Sequence, residues 1–250
     1  MKDSMTLKGK FGELLRTSKV AIALEIVVVF LPMALGLIVS ENTGSDRLPL
    51  GGDIVLIQGP IAFLGMAISL VFFWVAARLR GAGWDDFGLT RPKSWVRTLL
   101  MSLGVALAVF VAVKVVITPI MNILPGLGPR DMSRFSPLEG NLPNLIVNLV
   151  GMYITAAFLE EFLWRGYLIE RLIDLVGSRG KLAWAIALIG SAAIFGLVHY
   201  DQGIAGMFKI SMIGLVFGLS YLAVGRNLWP LMIAHGLIDT LDFVTHYFGG

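Results

Sequence analysis

Seven apolar runs, near residues 20–39, 54–77, 98–118, 145–165, 182–200, 205–224 and 228–248, match the roughly 20 residues that an α-helix needs to cross a bilayer. Inside hydrocarbon every backbone N–H and C=O must find its partner within the chain, so runs of this length fold as helices. The sequence therefore predicts an all-α, polytopic integral membrane protein of about seven transmembrane helices, with any active site inside the helix bundle. Composition agrees: 56% of residues are hydrophobic and 15% charged, with a mean hydropathy of +0.81, whereas about a quarter of a soluble domain is charged. The first run reads as a retained span and not as a cleaved signal peptide. It is too long for a signal peptide's apolar region and lacks a small-residue cleavage site before the polar stretch Ser40–Asp46. With no linker, repeat or low-complexity tract, residues 1–250 read as a single membrane domain.

Positive charge accumulates on the cytoplasmic side of membrane proteins, so Lys and Arg in alternate connections report orientation. Lys2, Lys8, Lys10, Arg16 and Lys19 precede the first span, Arg78, Arg80, Arg91, Lys93 and Arg97 follow the second, Arg165, Arg171, Arg179 and Lys181 follow the fourth, and Arg226 follows the sixth. The opposite connections hold only Arg47, Arg130 and Arg134. The N-terminus is thus expected in the cytoplasm and the C-terminus outside. A net charge of +3 spread over these connections forms no nucleic-acid surface. The chain has no cysteine, which excludes a disulfide framework, a thiolate nucleophile and thiolate metal ligation.

Ionisable groups are costly in lipid and mark function when they cluster. Three clusters interrupt the apolar runs: Glu160-Glu161 with Arg165, His199 four residues after Phe195, and His235 four residues before Asp239. Two of the three histidines fall here, and the third, His246, takes an interfacial position near the C-terminus. Glu161 and Arg165, like His235 and Asp239, are i and i+4 and share a helix face. Glu160, turned about 100° from Glu161, is the freer carboxylate. Measured from the Gly177–Gly180 turn, Glu160 and His199 sit at similar distances, about 17 and 19 residues, so an antiparallel pair brings them to one level. His235 stands about 9 residues above its own turn, which matches only if the preceding hairpin protrudes, and this places the site nearer the cytoplasm than the outside. A Glu–His pair can activate water. His235 with Asp239 can bind an oxyanion or join Glu160 and His199 around zinc, and spacing alone does not choose. Glu25, Lys114 and Lys209 also fall in spans, each alone in its helix, as snorkelling or structurally paired groups. The glycines at 104, 151, 190, 196, 214 and 218 are expected at close helix packing.

The runs Glu160-Glu161-Phe162-Leu163-Trp164-Arg165, Phe195-Gly196-Leu197-Val198-His199 and His235-Gly236-Leu237-Ile238-Asp239 resemble, in order, the three motifs of the CAAX-protease and bacteriocin-processing family of intramembrane endopeptidases. The resemblance covers residues 80–245, including Trp84-Asp85-Asp86-Phe87-Gly88-Leu89, while the first two spans match in hydropathy only. It implies that Glu160 activates water, His199 assists, His235 with residue 239 binds the oxyanion, and Glu161 and Arg165 shape the site. The family often has Asn where this chain has Asp239, and an ionised Asp cannot donate to an oxyanion. Asp239 must then be protonated, orient His235 or bind metal. The favoured reading has no tightly held metal, with a divalent ion such as zinc on Glu160, His199, His235 and Asp239 as the alternative. The resemblance further implies a peptide or membrane-protein substrate, contact with the lipid bilayer but not nucleic acid, and a bacterial inner membrane location. The competing readings are a catalytically silent immunity or scaffold protein and a small-molecule transporter. Tyr200-Asp201 has no Gly-x-Gly-Asp companion, and neither His-Glu-x-x-His nor Gly-x-Ser-Gly occurs, so aspartyl, gluzincin and rhomboid-type peptidases are excluded.

Overall fold

The computed structural model describes residues 7–44, 54–57 and 59–249. Lys2, Arg47 and residues 45–46 of the polar stretch lie outside the described residues. A short amphipathic helix, α1 (Leu7–Thr17), leads into α2 (Lys19–Thr43), and α3 (Pro60–Arg80) returns against it. Helix α4 (Trp95–Val111) runs through a π-helical turn, Ala112–Ile117, into α5 (Thr118–Ile123). Helix α6 (Leu142–Met152) continues as a π-helical segment, Tyr153–Leu168, into α7 (Ile169–Val176). The chain ends with α8 (Lys181–Leu197), α9 (Gly203–Ala223) and α10 (Leu228–Tyr247).

The boundaries follow from capping chemistry. Ser18 accepts from the Ala21 amide at the start of α2, and Ser94 accepts from the Arg97 amide at the start of α4, satisfying backbone donors that a helix start leaves open. Pro60 opens α3, so the predicted second run begins late: residues 54–57 form an extended connection. Five helical stretches are long and apolar enough to cross a membrane: Lys19–Thr43, Pro60–Arg80, Trp95–Ile123, Leu142–Val176 and Tyr200–Ala223. Of the seven expected spans, the remaining two depart for different reasons. Helix α8 has only 17 residues, and α10, with 20, carries His235, Asp239 and Asp242 among its apolar residues.

Two glycines decide how closely α2 and α3 approach. A Cβ on Gly36 would stand 2.8 Å from the Ile61 carbonyl oxygen, and Gly65 faces the Pro32 backbone in the same crossing. Gly196 does the equivalent job between α8 and α9, facing Ser211 and the Met207 carbonyl. The expectation fails at Gly104 and Gly151, where a Cβ would meet nothing within 4 Å; these two glycines face open space.

The described chain has a strongly basic end, formed by the connections after α3, α7 and α9, and an opposite end formed by residues 54–57, 124–141 and 198–202. Toward the basic end the bundle is solid. Phe73 packs edge-on against Phe87, Phe162 and Tyr167 with ring centroids 4.8, 4.7 and 5.4 Å away. Beside these rings, Glu25 bridges Arg80 at 3.2 Å and Arg171 at 3.0 Å and accepts from the Tyr167 hydroxyl at 3.1 Å. Glu25, solitary in its own helix, is thus a structural ion-pair centre joining α2, α3, the π-helical segment and α7. Arg226, in the turn before α10, reaches Glu170 at 2.7 Å. That contact fixes relative depth: the α7–α8 hairpin extends past the α9–α10 turn by the seven residues from Glu170 to Gly177, about 10 Å.

Candidate active site

One cavity of about 1210 Å³ occupies the half of the bundle away from the basic end. Glu160, His199, His235 and Asp239 all line it, joined by Trp164, Phe195 and Phe217. Glu160 and His235 stand 10 and 9 residues from the Glu170–Arg226 level, about 14 Å along the α-helix for His235. The cavity around them lies toward the charge-poor end of the bundle.

The two glutamates are adjacent in sequence and do different work. Glu161 is fully buried and accepts from Arg165 Nη1 at 2.9 Å and from His235 Nδ1 at 2.7 Å, both on Oε1. Arg165 is locked between the rings of Phe195 and Phe217, 4.5 and 5.1 Å from their centroids, and this desolvated cation–π sandwich fixes its fork. Glu160 turns to the cavity and makes no hydrogen bond among the described residues. Both glutamates lie on the π-helical segment, where i→i+5 bonding replaces the α pattern that sequence spacing assumes; such windings recur at functional sites.

His199 is not inside a helix, contrary to its expected spacing from Phe195. Helix α8 ends at Leu197, and His199 stands in the turn before Tyr200–Gln202. Its Nδ1 lies 2.8 Å from the Phe195 carbonyl oxygen. A carbonyl only accepts, so Nδ1 carries the proton and Nε2 is the basic nitrogen of the neutral ring. Arg130, Arg134 and Asp201 line the same cavity as His199 and Glu160, and no hydrogen bond joins His199 to Glu160 among the described residues.

His235 is held on both sides. Nδ1 bonds Glu161, and Nε2 lies 3.4 Å from Asp239 Oδ2, one turn along α10. Arg165, Glu161, His235 and Asp239 are thus linked into one polar chain across the π-helical segment and α10. The structure does not gather Glu160, His199, His235 and Asp239 as ligands of one ion: among the described residues no three His, Asp or Glu side chains are grouped to hold a metal. Glu161 takes His235 Nδ1 and Nε2 faces only Asp239, so the residues grouped here offer fewer than the three protein donors a zinc site uses. His246 stands apart, stacked on Phe135 at 5.0 Å and outside the cavity lining.

Sequence reasoning missed the rim. Arg134 ion-pairs with Asp201 and donates to the Ile57 carbonyl at 2.9 Å, while Arg130 donates to Gln202 Oε1 at 2.6 Å. Burial at this rim pulls the Arg130 guanidinium below its ordinary pKa, with Asp242 opposing the shift. Asn144 and Asn148, i and i+4 on α6, clamp the 54–57 connection: Asn144 Oδ1 accepts from the Val55 amide at 3.0 Å and Asn148 Oδ1 from the Ile57 amide at 2.8 Å. That asparagine pair in an apolar run was the available signal. Arg130 and Arg134 sit in a connection without periodicity and offered none.

Residues 142–241 match the family model of Rce1-like type II CAAX prenyl endopeptidases. The match contains all three motifs and agrees with the family they resemble; Trp84–Leu89 lies outside it. That segment instead forms a 3-10 turn whose Gly88 carbonyl accepts from the Leu228 amide at 2.9 Å, bracing the start of α10. Neither the curated proteins nor the solved structures yield a match.

Proposed function

We propose that this chain, whose residues 142–241 match a family of membrane endopeptidases, hydrolyses a peptide bond inside the bundle with water activated by Glu160. The observation that carries the reading is the division of labour in the glutamate pair. Glu161 is committed to Arg165 and His235, and of the two glutamates it is Glu160 that presents its carboxylate to the cavity.

Glu160 takes a proton from water as the water oxygen attacks the scissile carbonyl carbon. His199 Nε2, its only basic nitrogen, accepts a hydrogen bond that orients the water. Negative charge then develops on the carbonyl oxygen, and His235 Nε2–H donates to it while Glu161 holds the ring from behind through Nδ1. Asp239 keeps that nitrogen protonated and orients the ring, which is one of the three roles open to an aspartate here. Glu160 returns the proton to the departing amine nitrogen as the C–N bond breaks. Arg165 holds Glu161 in place and touches no substrate. The cavity lies in an integral membrane protein, so substrates are membrane-proximal peptides or membrane-protein segments.

Turnover of a fluorogenic peptide library by purified wild type and Glu160→Ala tests this. Cleavage by the wild type that is lost in the variant is expected. Equal turnover overturns the assignment, and substrate flux in proteoliposomes with no cleavage would favour a transporter.

A further inference from the structure

The cavity and the charge asymmetry of the chain are independent observations, one from packing and one from sequence, and together they orient the site. Every part of the cavity wall belongs to the same half of the bundle. Its outer residues come from the connections at the charge-poor end, among them Ile57, Arg130, Ser133, Arg134 and Asp201. Its floor is Trp164, Phe195 and Phe217, at mid-depth. No residue of the basic connections after α3, α7 or α9 lines it, and there the aromatic block around Phe73 and the Glu25–Arg80–Arg171 centre close the bundle. Two helices carry the lining around this axis in opposite directions. In α3 the lining residues Pro60 to Met66 precede the basic end, whereas in α10 His235 to Thr245 follow it.

Lys and Arg favour the cytoplasmic face. Moving the buried Arg165 out of the count leaves fourteen basic residues in one set of sequence connections against Arg47, Arg130 and Arg134 in the other, with Lys114 and Lys209 on the cavity wall. Of those three arginines, Arg134 is ion-paired to Asp201 and Arg130 is bonded to Gln202, so neither acts as free surface charge.

We infer that the active-site cavity opens away from the cytoplasm, so that the peptide it takes is presented at the non-cytoplasmic face of the membrane. The substrate class is then an exported or membrane-anchored peptide whose scissile segment has already crossed the bilayer, entering between the 54–57 connection and the 124–141 connection. The statement about the opening stands on packing and charge alone; the statement about the peptide also rests on the endopeptidase reading.

The absence of cysteine makes the test direct. Ser136→Cys and Ser133→Cys put single thiols at exposed positions of the mouth-side connection, and Ser178→Cys puts one at the exposed tip of the α7–α8 hairpin. Intact cells are treated with a membrane-impermeant maleimide, and permeabilised cells with the same reagent. Full labelling of the mouth-side thiols in intact cells, with loss of labelling at Ser178→Cys until permeabilisation, is the expected result. The reverse pattern overturns the inference, as does labelling of all three from outside. Fluorogenic peptide supplied to sealed right-side-out and inverted vesicles then separates the two readings. Cleavage in right-side-out vesicles alone is expected. Cleavage in inverted vesicles alone overturns the inference. No cleavage in either, with the expected labelling, overturns the endopeptidase reading and leaves the orientation standing.

Discussion

Removing the Arg165 guanidinium should destabilise the protein through Glu161, and the size of the effect can be bounded from the contacts. The pair is sealed, with side-chain exposures of 2% for Arg165 and 0% for Glu161. Breaking a buried pair by deleting one partner typically costs about 3–5 kcal/mol, because the remaining charge is left without compensation. Here the loss falls toward the lower end, about 3 kcal/mol, because His235 Nδ1 remains 2.7 Å from the same carboxylate oxygen. Arg165→Met keeps much of the side-chain volume between Phe195 and Phe217, so the deficit reports charge more than cavity. Adding Glu161→Gln should recover a large part of it, because the double variant buries no lone charge. Reversible unfolding in mixed micelles reads both variants. An Arg165→Met protein as stable as wild type refutes the reasoning, and so does a double variant less stable than the single one. Lost turnover at wild-type stability would instead make Arg165 a substrate contact.

Glu160→Gln should cost about 10²–10⁴-fold in turnover, the range for a lost general base, with little change in melting because the carboxylate has no protein partner to lose; a variant within a few-fold of wild type contradicts the assignment. Asp239→Asn should retain most activity, since the amide oxygen can still accept from His235 and its NH₂ can donate. A dead Asp239→Asn accompanied by one tightly bound zinc per wild-type chain would replace this account with a metal-dependent one. Glu25→Ala should be strongly destabilising, by about 3 kcal/mol or more, since it strands Arg80 and Arg171, buried beside it; unchanged unfolding would mean that these groups re-pair or reach water.

The residues of the site were legible in the sequence because charge inside an apolar run is rare and i,i+4 spacing is local. Both signals identify Glu161 with Arg165 and His235 with Asp239 without knowledge of the fold. What joins those pairs was not legible. The Glu161–His235 bond spans 74 residues and exists because the π-helical segment packs on α10, which no local pattern encodes. The bundle architecture was readable from hydropathy, but α8 ends before His199, since apolarity continues through Val198 while the helix does not. The cavity itself was not legible, because distance along a helix is measurable from a turn, whereas empty space depends on which side chains fill each level. The aromatic block around Phe73 fills the basic half, while the cavity occupies the other.

Hydrolysis by Glu160-activated water is tested most directly by following cleavage of a defined peptide in ¹⁸O-enriched water with mass spectrometry of both product and enzyme. The account predicts one ¹⁸O in the newly formed carboxylate from the first turnover, no covalent adduct on the protein at any time, and loss of the labelled product in Glu160→Gln. An acyl-enzyme mass, or labelled product formed undiminished by Glu160→Gln, would contradict it.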